Sequence, residues 1–151
     1  EYVLHPGAVV VVPLLQEPDG QLRIVLERQF RYPIGQAMVE LPAGKLDPGE
    51  DPLHCGRREL LEETGYFVKV GRLLFVGESI APDASRHILH VCFAGEITCG
   101  DECAGVDERV VGVGWVPVEG LRGERMYPAF ADELLDALAG TPCSYAGSRW
   151  V

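Results

Sequence analysis

The chain has 151 residues, 47% of them hydrophobic and 24% charged, the size and balance of one globular domain with a single core spanning residues 1–151. Asp and Glu outnumber Lys and Arg by 23 to 13, a formal net charge of −10, so no field of positive potential is available to draw in a nucleic acid. The longest apolar run, Ala8 to Leu15 with Pro13 inside it, falls far short of the ~20 residues that cross a bilayer, and no stretch reads as a signal peptide.

Ala8 to Val12 and Leu22 to Leu26 are rich in β-branched residues and flank a Pro18-Asp19-Gly20 turn, so they read as two strands in a hairpin-like arrangement. Met38 to Leu41 is a short apolar segment stopped by Pro42. Ala43 to Gly49, with two glycines and a proline, reads as a structured loop. Asp51 offers an N-cap oxygen, Pro52 suits a first helical turn and Gly65 a C-terminus, which brackets a helix of roughly three turns. Phe67 to Val76, Ile88 to Ala94 and Val110 to Val116 read as further strands, and Phe130, Leu134, Leu135 and Leu138 recur at helical spacing. Thr141 to Val151 carries no clear pattern. A mixed sheet with helices on its faces is the simplest architecture for this order.

The five cysteines (Cys55, Cys92, Cys99, Cys103 and Cys143) are odd in number and irregularly spaced, which fits reduced thiols and a cytoplasmic home. Cys99 and Cys103 are followed by no second Cys or His pair at zinc-like spacing.

The chemically informative stretch runs from Gly44 to Tyr66. At ~100° per residue, Glu59, Glu62 and Glu63 fall on one face of the bracketed helix, where their mutual repulsion is costly. Arg58 lies four residues before Glu62, so one reading is a solvated face of mixed charge. The other is an all-oxygen site for a hard divalent cation, set against a glycine-rich loop that lets backbone approach a ligand. Mg²⁺ is commonly shared between carboxylates and substrate phosphates, so such a cluster suits a pyrophosphate.

This segment resembles the Nudix box, G-x5-E-x7-R-E-U-x-E-E-x-G-U with U apolar, at Gly44, Glu50, Arg58, Glu59, Leu60, Glu62, Glu63, Gly65 and Tyr66. With each of seven invariant types at a frequency near ~6%, chance agreement is on the order of one in 10⁸ per starting position. Tyr66 departs softly from the aliphatic residue usual there and is expected to pack inward. The resemblance implies an α/β (α+β) Nudix fold, an α/β/α sandwich with a mixed central sheet. It implies Glu59 and Glu63 as metal ligands and Glu62 as a further ligand or water activator. Arg58 would orient the glutamates, the Ala43 carbonyl would be a backbone ligand, and Glu50 would brace the loop. The implied cofactor is Mg²⁺, with Mn²⁺ as a substitute.

Outside the box, Arg28 to Pro33, Glu40 to Gly44, and Pro82, 16 residues past Tyr66, are similar to segments of the ADP-ribose pyrophosphatase branch. That likeness implies hydrolysis of ADP-ribose to AMP and ribose 5-phosphate, with Arg31, Glu40 and Gly44 at the substrate and Glu108 as a catalytic glutamate in an acidic loop. His87 and His90 read as structural and stay outside the expected site. The branch's additional N-terminal β segment is not seen before the first strand, which keeps another nucleoside diphosphate sugar, or a nucleoside triphosphate, as the alternative substrate. A non-catalytic ADP-ribose sensor is a remote alternative, because all the box glutamates are present. The expected partner is a small nucleotide, with neither nucleic acid nor membrane; a homodimer is left open.

Overall fold

The computed structural model describes residues 8–32, 35–83, 87–100 and 110–149. Strands β1 (Ala8–Gln16) and β2 (Leu22–Arg31) are antiparallel, but only from Leu14↔Ile24 to Gln16↔Leu22. Gly20, at φ +87°, closes their connection by donating its N–H to the Glu17 carbonyl at 2.9 Å; a left-handed position favours glycine for want of a Cβ.

Beyond the hairpin the two strands splay, and the chain fills the opening between them. Strand β3 (Gln36–Glu40) pairs with β2 from Glu27↔Glu40 to Arg31↔Gln36, and β4 (Ala43–Lys45) pairs with β1 from Ala8↔Lys45 to Val10↔Ala43. The expected loop from Ala43 therefore begins as a short strand. Its glycine and proline content marks only the part after Lys45, because the exposed edge of β1 recruits the first three residues. Pro13 falls between the β4 and β2 pairings of β1, where a missing N–H is tolerated.

Helix α1 (Pro52–Thr64) is bounded by local chemistry. Asp51 Oδ1 accepts the N–H groups of Leu53 and His54 at 2.9 and 3.1 Å, a cap that contributes about 1 kcal/mol. Gly65, at φ +79°, ends the helix by donating its N–H to the Leu61 carbonyl. The chain passes directly into β5 (Tyr66–Ile80), which pairs antiparallel with β6 (His87–Gly100); β6 in turn lies parallel to β1 from Ala8↔His90 to Leu14↔Glu96. Strand β7 (Val110–Pro117) flanks β2, and a 3₁₀ helix (Val118–Gly123) follows it. Strand β8 (Met126–Tyr127) pairs with β3, helix α2 spans Ala131–Leu138, and β9 (Ser144–Arg149) pairs with β5. Among the described residues this makes a nine-stranded mixed sheet with β8 and β9 at the ends of its main path.

Alternation along the strands divides the core between the two faces of the sheet. Val10, Val12, Ile24, Leu26, Leu74 and Phe75 pack against Phe130 and Leu134 beneath α2. Val9, Val11, Val25, Tyr66 and Val68 pack against Cys55 and Leu60 of α1. Close approach of α1 requires Gly56, where a Cβ would come within 2.6 Å of Val11 Cγ2. Tyr66 is buried as expected and its hydroxyl accepts the Trp115 Nε1–H at 3.3 Å. The α/β/α layering expected from the sequence is thus present.

Candidate functional site

While one side of α1 is sealed against the sheet, Glu59 and Glu63 point at β4. The Ala43 N–H donates to Glu63 Oε2 at 3.0 Å, and Glu63 is only 8% exposed. One residue on, any Cβ at Gly44 would overlap Cγ and Cδ of Glu59. The motif glycine is therefore a steric requirement: it lets a carboxylate stem lie across the backbone of β4.

Arg58 gathers the rest. It donates through Nε and Nη2 to the two Glu50 oxygens at 3.0 and 3.1 Å, and its Nη1 reaches Glu59 Oε1 at 2.9 Å and Glu62 Oε2 at 3.3 Å. Glu50 also accepts the Asp47 N–H at 3.1 Å, so it ties the loop to the helix. The bidentate pairing with Glu50, together with Glu59 and Glu62 on Nη1, holds the guanidinium plane from two sides, as a planar fork of donors allows and a lysine would not. Hydrogen bonding to Glu50 is the largest influence on Arg58 and holds its guanidinium more firmly charged than usual. Burial pushes the Glu59 carboxyl upward, and Arg58 offsets part of that rise.

For Glu50 the balance runs the other way. The Arg58 hydrogen bonds, then the Asp47 N–H, lower its carboxyl from an ordinary 4.5 to about 2. A folded-state value below the unfolded one stabilises the fold fully above the unfolded value, and the benefit is lost as pH falls through the folded one. The melting-temperature gap between the native chain and Glu50→Gln is therefore expected to be widest above pH 4.5 and to close towards pH 2. A gap that does not change between pH 6 and pH 3 would show that the brace carries no charge dependence.

Three carboxylates, Glu50, Glu59 and Glu62, thus meet on one guanidinium. Among the described residues no three Asp, Glu, His or Cys side chains close on one point: Glu59 and Glu62 lean to Arg58, and Glu63 to the Ala43 amide. The available donors are carboxylate and carbonyl oxygens, and Gly44 leaves the room that Glu59 needs, so their chemistry fits a hard divalent cation.

A second group lies on the α1 side of the sheet. Glu27 shares that face with Val25, faces Glu40 across β2 and β3, and Glu40 in turn faces Tyr127 across β3 and β8. Arg31, four residues along β2 from Glu27, donates to Glu40 through Nε at 2.6 Å and through Nη2. Its Cζ lies 5.3 Å from the centroid of the Tyr127 ring. Burial works against the Arg31 charge, but Glu40, with smaller contributions from Tyr127 and Glu27, offsets it and the net shift is upward. Arg31 and Glu40 were both expected at the site. Glu27 and Tyr127 were not: Glu27 follows the apolar run in a polar stretch with Arg28, Gln29 and Arg31, where nothing local marks it as buried.

A NUDIX domain model matches residues 4–138. The chain belongs to the Nudix family. It is 39% identical over 108 residues to the methanol dehydrogenase activator of Bacillus methanolicus and, again at 39% over 108, to the ADP-ribose pyrophosphatase of Bacillus subtilis. Each match covers 72% of this chain and 56% of the relative, so the chain spans little more than half the length of these proteins. A NUDIX hydrolase structure from Nitrosomonas europaea superposes with a TM-score of 0.72 at 20% identity, over 95% of this chain and 92% of that one. That likeness supports the fold.

The remaining positions singled out in the sequence divide clearly. Glu108 lies outside the described residues. Pro82 is exposed in the turn after β5. His90 is buried beside Phe130 with Ser79 Oγ 2.8 Å from its Nε2, and His87 pairs with Glu78 at 2.7 Å, so both have structural partners. No helix among the described residues is long and apolar enough to cross a membrane.

Proposed function

We propose that this chain is a Nudix pyrophosphohydrolase that uses Mg²⁺, or Mn²⁺ in its place, to hydrolyse ADP-ribose to AMP and ribose 5-phosphate. The observation that carries this reading is the complete carboxylate set beside the Gly44 backbone, with Glu59 and Glu62 held by Arg58 and Glu63 held by the Ala43 amide. The Ala43 carbonyl and these three glutamates would hold the cation. Bound there, it would polarise phosphoryl oxygens and offset the charge that develops at phosphorus.

The chain's own residues supply the rest. Arg58 sets the orientation of Glu59 and Glu62, and Glu50 locks Arg58 to the loop. A carboxylate, at Glu62 or Glu108, takes the proton of the attacking water as its oxygen bonds to phosphorus and the bridging P–O bond breaks. Arg31 grips a phosphate of the substrate, in a site that also includes Glu40 and Gly44. A single Nudix domain and a cytoplasmic home complete the reading; the latter agrees with Cys55, Cys92, Cys99 and Cys143 being free thiols.

The test is a panel of ADP-ribose, other ADP- and GDP-sugars, diadenosine polyphosphates and nucleoside triphosphates, assayed with Mg²⁺ for release of AMP or phosphate. ADP-ribose is expected to give the highest kcat/KM. Turnover of a triphosphate with none of ADP-ribose would overturn the substrate, and tight ADP-ribose binding with no product would favour a sensor. Size-exclusion chromatography with light scattering decides between monomer and homodimer.

A further inference from the structure

We infer that Tyr127 is a positioning residue, whose ring, together with the Glu40 carboxylate, holds the Arg31 guanidinium in the one orientation that presents its outer edge to a substrate phosphate. This rests on the reading of Arg31 as a phosphate-binding residue.

A guanidinium has two edges that can each pair with an oxyanion, one formed by Nε and one Nη, the other by the two Nη atoms. Glu40 occupies the first, through Nε and Nη2. That pairing leaves the Nη1–Nη2 edge directed away from Glu40. One carboxylate alone does not settle the tilt of the plane, because an arginine side chain has several rotatable bonds and the pair can swing together. Tyr127 supplies a second wall. Its ring lies against Arg31 at 5.3 Å, within cation–π range. It is also placed by the sheet itself, directly beside Glu40 in the β3–β8 register.

The third member of the row explains why such a wall is needed. Glu27 lies across from Glu40 on the same face, and the two carboxylates are 2% and 5% exposed. Glu40 bonds the guanidinium, and the charge of Glu27 on the same face adds a second, weaker pull on it. A ring that attracts the cation without adding charge fixes its position and adds no further repulsion against an incoming phosphate. The Arg31 side chain remains 30% exposed, so an edge is accessible from solvent.

The test compares the native chain, Tyr127→Leu and Tyr127→Phe, alone and combined with Arg31→Ala, in steady-state hydrolysis of ADP-ribose or of the best panel substrate; all of these carry the phosphates in question. Tyr127→Leu is expected to raise KM about two- to five-fold, the scale of a partly exposed cation–π contact, with kcat within about two-fold. Tyr127→Phe keeps the ring and is expected to behave as the native chain. In the Arg31→Ala background Tyr127→Leu is expected to add nothing. An unchanged KM in Arg31→Ala overturns the phosphate role of Arg31. A raised KM there, with Tyr127→Leu silent or equally damaging in both backgrounds, overturns the positioning role alone. Should Tyr127→Leu fail to fold, the native chain decides: the Arg31 Nε–H resonance is expected to be sharp, and the Arg31 side chain to show nuclear Overhauser contacts to the Tyr127 ring. A sharp Nε–H without such ring contacts overturns the proposal.

Discussion

Glu63→Gln is expected to lower turnover by about 10³-fold, the loss seen when one group preorganised for developing charge is removed, while the melting temperature moves by only a few degrees. The two effects separate because Glu63 has two duties. Its Oε2 accepts the Ala43 N–H, and the carbonyl oxygen of a glutamine in its place can accept the same bond. Its negative charge, which a hard cation requires, has no substitute in an amide. Activity with Mg²⁺ and thermal melting, measured side by side, check this. Full activity in the variant would reduce the carboxylate face to a charged surface.

Gly44→Ala is expected to damage stability and activity together. The added methyl would overlap Cγ and Cδ of Glu59, so either β4 must leave its pairing with β1 or Glu59 must leave the site. Overpacking of this kind costs about 1–3 kcal/mol. At roughly 2–4 °C per kcal/mol for a chain of this size, the melting temperature falls by ~2–12 °C. Because the displaced group is a proposed cation ligand, turnover is expected to fall about 10²-fold or more. Gly123→Ala serves as the control: nothing lies within 4 Å of the point its methyl would occupy, and a surface change of that kind stays within about 0.5 kcal/mol. Equal behaviour of the two alanine variants would remove steric exclusion as the reason for glycine at position 44.

What could be read in advance depended on how far apart the interacting residues lie. Helix α1 was legible because Asp51, Pro52 and Gly65 act on their immediate neighbours. Its carboxylates were legible because helical spacing alone brings Glu59, Glu62 and Glu63 to one side. The extents of β5 and β6 were underestimated at both ends, since their pairing continues past the apolar residues that signal it, to Gly100 and Ile80. Strand β4 has no strand-like composition and exists through its register with Val10 and Val9. Strand β9, Ser144–Arg149, lacks alternation and is recruited by β5. The β2–β3 register puts Arg31 opposite Gln36 and Glu40 opposite Glu27, so the Arg31–Glu40 pairing depends on a long side chain reaching along the shared face, and Tyr127 reaches the same place from far along the chain, where no local pattern could announce it.

The bond from the Ala43 amide to Glu63 gives the site a built-in reporter. Most amides of a sheet are shielded from solvent by a neighbouring strand, so they exchange their hydrogen when the ladder opens. The Ala43 hydrogen is shielded by a side chain of the helix. Its exchange with deuterium is therefore governed by the rotamer of one carboxylate. A slow amide at Ala43 marks Glu63 as docked on the backbone, and a fast one amid slow neighbours marks it as turned elsewhere. One residue's exchange rate thus follows a side-chain swing that a melting curve cannot detect.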